Sequence, residues 1–292
     1  MSDEAPSALD PVRPTDLRRL LSRHGVRPRR SLGQTFLTDR NLVQRIVAAT
    51  ALTDRERVIE IGAGAGAVTR ELANHAKRLI AVEIDPKLIA VLHETVDPSV
   101  EVVHADVLTI DWEDLLGPPD TDQWRLVANI PYAITGPAII HFLEAAHRFE
   151  LQVIMVQQEV ADRLLARPGE RARGILTALI EGFYEIAPVA RVPRTCFRPR
   201  PRVDSTILRL TALRPPLVPA ELKDHYRLAV QAAYSARRKT LANALPHDSR
   251  MSMSKEEAVA LLSQSDIEPG RRAETLTAAE FLALAKALAA RS

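Results

Sequence analysis

Cysteine is almost missing from this chain. One residue in 292, Cys196, excludes an internal disulfide and a thiolate cluster for zinc or iron–sulfur. Cys196 is expected to be a packed thiol rather than a nucleophile. Long apolar runs are missing too. The longest candidate, Leu126 to Ile140, is interrupted by Asn129, Pro131, Gly136 and Pro137, so no membrane-spanning helix is expected. The opening residues, with Asp3 and Glu4, lack a basic start followed by an apolar core, and no secretory signal is expected there. His104, His141 and His225 do not have metal-ligand spacing, so no metal site is expected. A reducing, cytoplasmic setting is the simplest reading. Hydrophobic residues at 46% and charged residues at 26% exclude wholesale disorder. The length suits one large domain plus a small one.

Net charge is only +2, but its distribution is uneven. Arginines 18, 19, 23, 27, 29 and 30 follow one another with no acid between them. Arginines 191, 194, 198, 200 and 202 form a second acid-free run, and Arg237-Arg238-Lys239 a third knot. One such run is ordinary solvated surface. Three in a near-neutral chain point to a polyanionic partner.

Residues 1–14, with Pro6, Pro11 and Pro14, read as a flexible tail. A short helix is predicted from Thr15 to Gly25, and another from about Asp39 with Leu42, Val43, Ile46 and Val47 on one face. Strands are then predicted at Val58–Ile61, Leu79–Ile84, Val100–His104, Trp124–Ala128 and Leu151–Gln157, with helices at Val68–Ala76, Pro86–Glu94 and Gly136–Ala146 between them. This βα alternation predicts an α/β domain with a doubly wound parallel sheet. Ser205–Leu210 reads as one more strand. The proline-rich stretch Leu213–Pro219 reads as a linker, followed by helices at Ala220–Leu245, Lys255–Gln264 and Ala278–Ala290. The expected domains are therefore 15–213 and a small all-helical 214–292.

Ligands of open parallel sheets bind beyond the carboxyl ends of the strands. The first strand ends Glu60-Ile61-Gly62-Ala63-Gly64-Ala65-Gly66, the second Glu83-Ile84-Asp85, the third His104-Ala105-Asp106 and the fourth Asn129-Ile130-Pro131-Tyr132. The glycine turn followed about 20 residues on by Glu83 also fits a dinucleotide site, so a nicotinamide enzyme competes. Glu60, however, would repel a pyrophosphate and attract a cationic amino group. S-adenosylmethionine suits the set better: its methionine end is positive, its ribose diol suits one carboxylate, and its adenine amino group is a donor for Asp106.

The most specific signal is Asn129-Ile130-Pro131-Tyr132. An exocyclic adenine nitrogen is a poor nucleophile because its lone pair is delocalised into the ring. The Asn129 amide oxygen and the Ile130 carbonyl could accept both amino protons, and Pro131 brings no competing N–H. Tyr132 would stack on the base. Catalysis would then rest on orientation and preset polar groups rather than on a strong base. The bland alternative is a helix-entry turn with an ordinary buried tyrosine.

The chain resembles the ribosomal RNA adenine dimethyltransferase family, in its small-subunit branch. The resemblance is carried by Leu32-Gly33-Gln34-Thr35-Phe36-Leu37, the glycine turn, Val82–Asp85, Asn129–Tyr132, Gln158-Glu159-Val160, Phe197–Ser205, Arg237–Thr240 and Arg271–Glu274. It implies a Rossmann-like class I methyltransferase fold dependent on S-adenosylmethionine. It also implies dimethylation of two adjacent adenosines in the 3′-terminal hairpin loop of small-subunit (16S) rRNA, in an assembling 30S subunit. The implied cofactor contacts are Thr35, Leu37, Glu60, Gly62, Gly64, Glu83, Asp106 and Asn129. Asn129, Pro131 and Tyr132 fall in the catalytic motif, and Phe197 would flank the target base. Arg198, Arg200, Arg202, Arg237, Arg238 and Lys239 are the expected RNA contacts. The chain departs from the family pattern at Thr35, Ala133 and Arg173, none of which removes a group the chemistry requires.

Two neighbouring readings remain. The nearest rival within the family is the large-subunit methylase that confers macrolide resistance, but Gly33 before Gln34 and the Arg237-Arg238-Lys239 helix favour the small-subunit branch. An RNA-binding assembly factor without catalysis is the other, and the intact Asn129–Tyr132 motif speaks against it. Nothing demands more than a monomer.

Overall fold

The computed structural model describes residues 9–29, 32–118 and 123–291. It divides into two compact units, Met1–Gln158 with Ala187–Leu210, and Glu159–Ile186 with Thr211–Ser292.

The first unit is built on a seven-stranded sheet. A helix α1 (Pro14–Arg23) precedes the two-residue strand β1 (Phe36–Leu37) and helix α2 (Arg40–Thr50). The alternating series follows: β2 (Arg57–Ile61), α3 (Thr69–Ala73), β3 (Arg78–Glu83), α4 (Pro86–Thr95), β4 (Glu101–His104), α5 (Trp112–Leu116), β5 (Trp124–Asn129), α6 (Thr135–Glu144), β6 (Phe149–Gln157). Helix α7 (Gln158–Leu164), helix α8 (Ile175–Glu181), strands β7 (Tyr184–Val192), β8 (Phe197–Arg198) and β9 (Ser205–Ala212) come next. The seven-stranded sheet has the order β4-β3-β2-β5-β6-β9-β7, and its β4-β3-β2-β5-β6 portion is parallel. Val58, Ile59, Ile80, Ala81, Leu126 and Ile154 are at most 1% exposed, the near-continuous apolar runs of a sheet covered on both faces.

Local signals explain the helix starts. Asp39 accepts the Leu42 N–H at 3.1 Å and Asp85 the Lys87 N–H at 3.0 Å, each satisfying an orphan donor. Gly25, at φ +60°, takes the left-handed position just beyond α1.

In the second unit, helices α9 (Lys223–Tyr234), α10 (Leu241–Ala244), α11 (Lys255–Gln264) and α12 (Ala278–Ala289) join α7 and α8. Tyr226 donates to the Ala178 carbonyl at 2.6 Å and meets Phe281 edge-on at 6.5 Å. Ser254 with Glu257, and Thr277 with Glu280, form capping boxes for α11 and α12.

Four expectations need correction. The tail reading over 1–14 fails from residue 9 onward, residues 1–8 lying outside the described set. Val12 is only 8% exposed, Asp10 accepts from Arg40, and Pro14 opens α1, so packing and ion pairing hold this segment. The boundary expected at 213/214 falls at 210/211, and the second unit also takes Glu159–Ile186, whose helix α8 packs with α9 and α12. The single helix expected over Ala220–Leu245 is broken between Tyr234 and Leu241, which places Arg237-Arg238-Lys239 in a turn rather than on a helix face. Strands β1, β7 and β8 were not foreseen, because two-residue strands and one broken by Pro188 carry little periodic signal.

Candidate active site

β2 lies between β3 and β5, with Glu60 level with Ala81 on one side and Val127 on the other. On the flanks, Glu83 stands opposite His104 and Asn129 opposite Met155. The chain leaves β2 for β3 on one side and returns as β5 on the other, so a crevice opens beyond Ile61. A cavity occupies it. It is walled by the 32–37 loop, the glycine turn, Glu83, Ile84, Asp106 and Asn129–Tyr132.

Gly62 is required by contact as well as by conformation, Gly64 by conformation. Gly62 sits at φ +76°, and a Cβ there would lie 2.8 Å from the Asn129 carbonyl oxygen. Gly64, at φ +61°, faces the Phe36 ring, which a Cβ would meet at 3.4 Å. Its N–H donates to Glu83 Oε2 at 2.9 Å, while Ile84 and Asp85 N–H groups donate to Glu83 Oε1 at 2.9 Å each. Three backbone donors thus aim the Glu83 carboxylate. Burial raises its pKa, against the pull of those N–H groups in the opposite direction.

Glu60 is 3% exposed, and its Oε2 has no hydrogen-bond partner. Burial pushes its pKa up to about 7; the Thr69 hydroxyl draws it down without reaching hydrogen-bond geometry, and the Glu83 charge adds to the rise. A buried carboxylate with an orphan oxygen on a cavity wall calls for a cationic partner. Asp106 spends Oδ1 on the Leu108 N–H at 3.0 Å. Gln34 ties the cavity loop to the start of α4: Nε2 donates to Asp85 Oδ2 at 2.9 Å, and Oε1 accepts from the Arg29 N–H at 2.8 Å.

At the β5 end, the Asn129 carboxamide is half-buried and makes no hydrogen bond among the described residues. Tyr132 starts a short 3₁₀ turn into α6, and its hydroxyl lies 2.7 Å from Ser205 Oγ. Burial raises the tyrosine pKa, the Ser205 hydrogen bond lowers it and the Asp204 charge raises it, so the phenol is neutral at physiological pH. Gly33, at φ +61°, backs onto Pro131, where a Cβ would meet Pro131 Cβ at 3.0 Å.

Thr35, Leu37, Glu60, Gly62, Gly64, Glu83, Asp106, Asn129, Pro131 and Tyr132 all line this one cavity. Phe197 does not. Its ring is 0% exposed within the core cluster that holds Leu37 and Val192, and β8 pairs it with Leu37. Correcting the expectation for it, this ring offers no face to a base, because an apolar side chain between paired strands is packed away. Arg198, Arg200 and Arg202 are exposed in the first unit. Arg237, Arg238 and Lys239 are exposed in the second unit, where Arg237 donates to the Arg171 carbonyl at 2.6 Å. Arg173 is fully buried there in a two-pronged pair with Glu181 at 2.7 and 2.6 Å.

Sequence reading missed Ser205, Gln34 and Ile84 as site residues. Ile84 lines the cavity with 41% of its surface exposed, a signal visible only as an apolar residue between Glu83 and Asp85. Ser205 lies 73 residues from Tyr132, and no local pattern pairs the two. No group of three or more His, Cys, Asp or Glu among the described residues is arranged to hold a metal, and no helix there is long and apolar enough to cross a membrane.

Residues 25–290 match the sequence profile of the family described as ribosomal RNA adenine dimethylase. The chain is 40% identical over 268 residues to the ribosomal RNA small subunit methyltransferase A of Geobacter metallireducens, covering 91% of this chain and 97% of that one. It is 41% identical over 283 residues to the protein of the same name from Pelotomaculum thermopropionicum, covering 93% and 95%. Among solved structures, a dimethyladenosine transferase from Plasmodium falciparum aligns with a TM-score of 0.71 at 26% identity, over 85% of this chain and 95% of that one. The 23S rRNA methyltransferase ErmE aligns with a TM-score of 0.63 at 29% identity, over 87% and 99%.

Proposed function

The chain belongs to the ribosomal RNA adenine dimethylase family, and from that premise we propose that it methylates two adjacent adenosines in the 3′-terminal hairpin loop of small-subunit (16S) rRNA. The methyl groups go to the exocyclic amino nitrogens, giving dimethyladenosines during maturation of the 30S subunit. S-adenosylmethionine, when bound, supplies an activated methyl group.

The cavity fits that cofactor on three grounds. Glu60 presents an orphan carboxylate oxygen to a cationic methionine end. Glu83, aimed by three N–H groups, keeps one lone-pair site on Oε2 for a ribose hydroxyl. Gly62 leaves the backbone bare where a Cβ would clash, and Gly64 takes the left-handed turn from which its N–H reaches Glu83. Thr35, Leu37 and Asp106 complete the set that would hold it.

The single observation carrying the catalytic reading is the uncommitted Asn129 carboxamide at the end of β5, next to Ile130-Pro131-Tyr132. Its Oδ1 and the Ile130 carbonyl accept the two amino protons of the adenine and localise the nitrogen lone pair. Pro131 contributes no N–H to compete for those acceptors. Tyr132 stacks on the base, a contact worth about 1–3 kcal/mol. As the nitrogen gains positive charge one of its protons becomes acidic and leaves, so no strong base is needed. Orientation and preset acceptors provide the rate.

Exposed Arg198, Arg200, Arg202, Arg238 and Lys239 would pair with RNA phosphates, with Arg237 beside them in sequence. We place the protein in the cytoplasm, acting as a monomer on the assembling subunit. The resemblance to ErmE keeps a large-subunit target in view, but relatives about 40% identical over more than 90% of the chain carry the small-subunit name. Incubation with labelled cofactor and undermethylated 30S or 50S subunits tests the assignment. Label is expected in two adjacent adenosines of 30S RNA; label confined to 50S RNA would reverse it.

A further inference from the structure

A second hollow, separate in its lining from the reaction cavity, reaches β8 at Arg198. It has a volume of about 500 Å³ and lies between α1, the Gly25–Pro28 turn and Arg198-Pro199. That volume is within the range of about 300–1,000 Å³ typical of small-ligand sites. Its floor is aliphatic: Leu17, Leu21 and Val26 are at most 8% exposed. Its rim is cationic. Arg18, Arg27 and Arg198 are exposed on it, and no acidic residue lines it among the described residues. Arg18 and Arg27 have no ion pair there. Arg198 is braced by its own backbone, with NH1 donating to the Thr195 carbonyl at 3.0 Å and the Phe197 carbonyl at 2.8 Å, which fixes the guanidinium plane.

An aliphatic floor under three unneutralised guanidinium groups suits neither a lipid chain, which needs no such rim, nor an acidic peptide, which needs no such floor. It suits one nucleotide of a single strand: an apolar base face below, phosphates at the rim, and a planar guanidinium for the base to stack on. The strand register gives the position. Phe36 lines the reaction cavity, and its antiparallel partner Arg198 lines this hollow. Partners across such a pair are about 5 Å apart, so a nucleotide here is within reach of a base in the cavity.

We infer that the hollow between α1 and Arg198-Pro199 is a subsite for an unpaired RNA nucleotide flanking the methylated adenosines. The inference rests on the proposed function and adds to it where the strand runs on leaving the reaction cavity.

The test uses the full chain and a hairpin RNA of the target loop with 4-thiouridine in place of a nucleotide adjacent to the adenosines. Photo-crosslinks are expected within Leu17–Pro28 or at Arg198-Pro199; crosslinks confined to other peptides overturn the subsite. The double variant Arg18→Ala with Arg27→Ala alters exposed side chains only. It is expected to raise KM for the hairpin about ten-fold, to leave kcat within two-fold and cofactor affinity unchanged, and to flatten the salt slope of RNA binding by about 1.4 for two lost phosphate contacts. An unchanged KM and salt slope in a variant that still methylates overturns the subsite alone. Absence of methylation by the wild-type protein on every rRNA tested would instead overturn the proposed function. A ribosomal-protein segment as the true occupant would leave binding of the naked hairpin untouched, and so also counts against the inference.

Discussion

The Tyr132 hydroxyl lies 2.7 Å from Ser205 Oγ, and Ser205 is fully buried at the start of β9. The first residue of one strand thereby fixes the ring plane at the end of another. Tyr132→Phe and Ser205→Ala are each expected to lower kcat for methyl transfer about five- to ten-fold, with KM for cofactor unchanged. Because both remove the same hydrogen bond, the double variant is expected to be no slower than the worse single variant. Additive losses measured across this cycle would deny the pairing any catalytic role.

Asn129→Ala removes the acceptor proposed to orient the amino group and leaves the exposed arginines proposed to meet phosphates intact. Single-turnover methylation is expected to fall by at least about 10²–10³, the scale of a lost transition-state hydrogen bond, with RNA affinity kept within a few-fold. Undiminished turnover would refute the role assigned to this carboxamide.

Gly62→Ala would bring a methyl group 2.8 Å from the Asn129 carbonyl oxygen at a positive φ. A loss of about 2 kcal/mol or more in urea unfolding is expected, together with weakened cofactor binding. Gly25→Ala, also at positive φ but with nothing within 4 Å, is the control. Its expected loss is about 1–2 kcal/mol from conformation alone, with cofactor binding unaffected.

Glu60 carries a pH signature. Its folded pKa, about 7, lies above its ordinary value of 4.5, so the folded cofactor-free protein keeps a proton that the unfolded chain has lost. Stability contributed by this group is therefore full below pH 4.5 and is lost as pH rises to 7, by about 3 kcal/mol in all. Glu60→Gln is expected to gain stability over the wild type progressively from pH 5 to pH 7.5 in denaturant titrations. A difference independent of pH would contradict the buried, unpartnered carboxylate.

Arg173→Leu leaves Glu181 without its two-pronged partner and also removes donors to the Ala166 and Leu276 carbonyls. Breaking a buried pair from one side typically costs about 3–5 kcal/mol. With Glu181 still 30% exposed, the lower end is expected in thermal unfolding. A near-neutral result would show the pair to be ornamental.

The glycine turn, Glu60, Glu83, Asp106 and Asn129 could be read from the chain because each closes a strand whose apolar run is local, and a parallel sheet brings strand ends to one edge. The positions of β2–β6 and β9 followed for the same reason. Phe197 misled because an aromatic between arginines has the composition of a stacking platform, and only the pairing of β8 with β1 shows that its ring is core. The Arg237–Lys239 knot was placed on a helix because nothing between Tyr234 and Leu241 breaks the pattern by composition.

The sequence by itself determined the chemistry available: which side chains stand at the strand ends, how charge is spread, and which family the order of motifs belongs to. These are properties of neighbouring residues. Only the tertiary structure decided what was exposed and what met across long separations: that Ser205 braces Tyr132, that Gln34 spans to Asp85, and that Glu159–Ile186 packs with the C-terminal helices. Such contacts depend on which surfaces are removed from water together, and local sequence does not encode that choice.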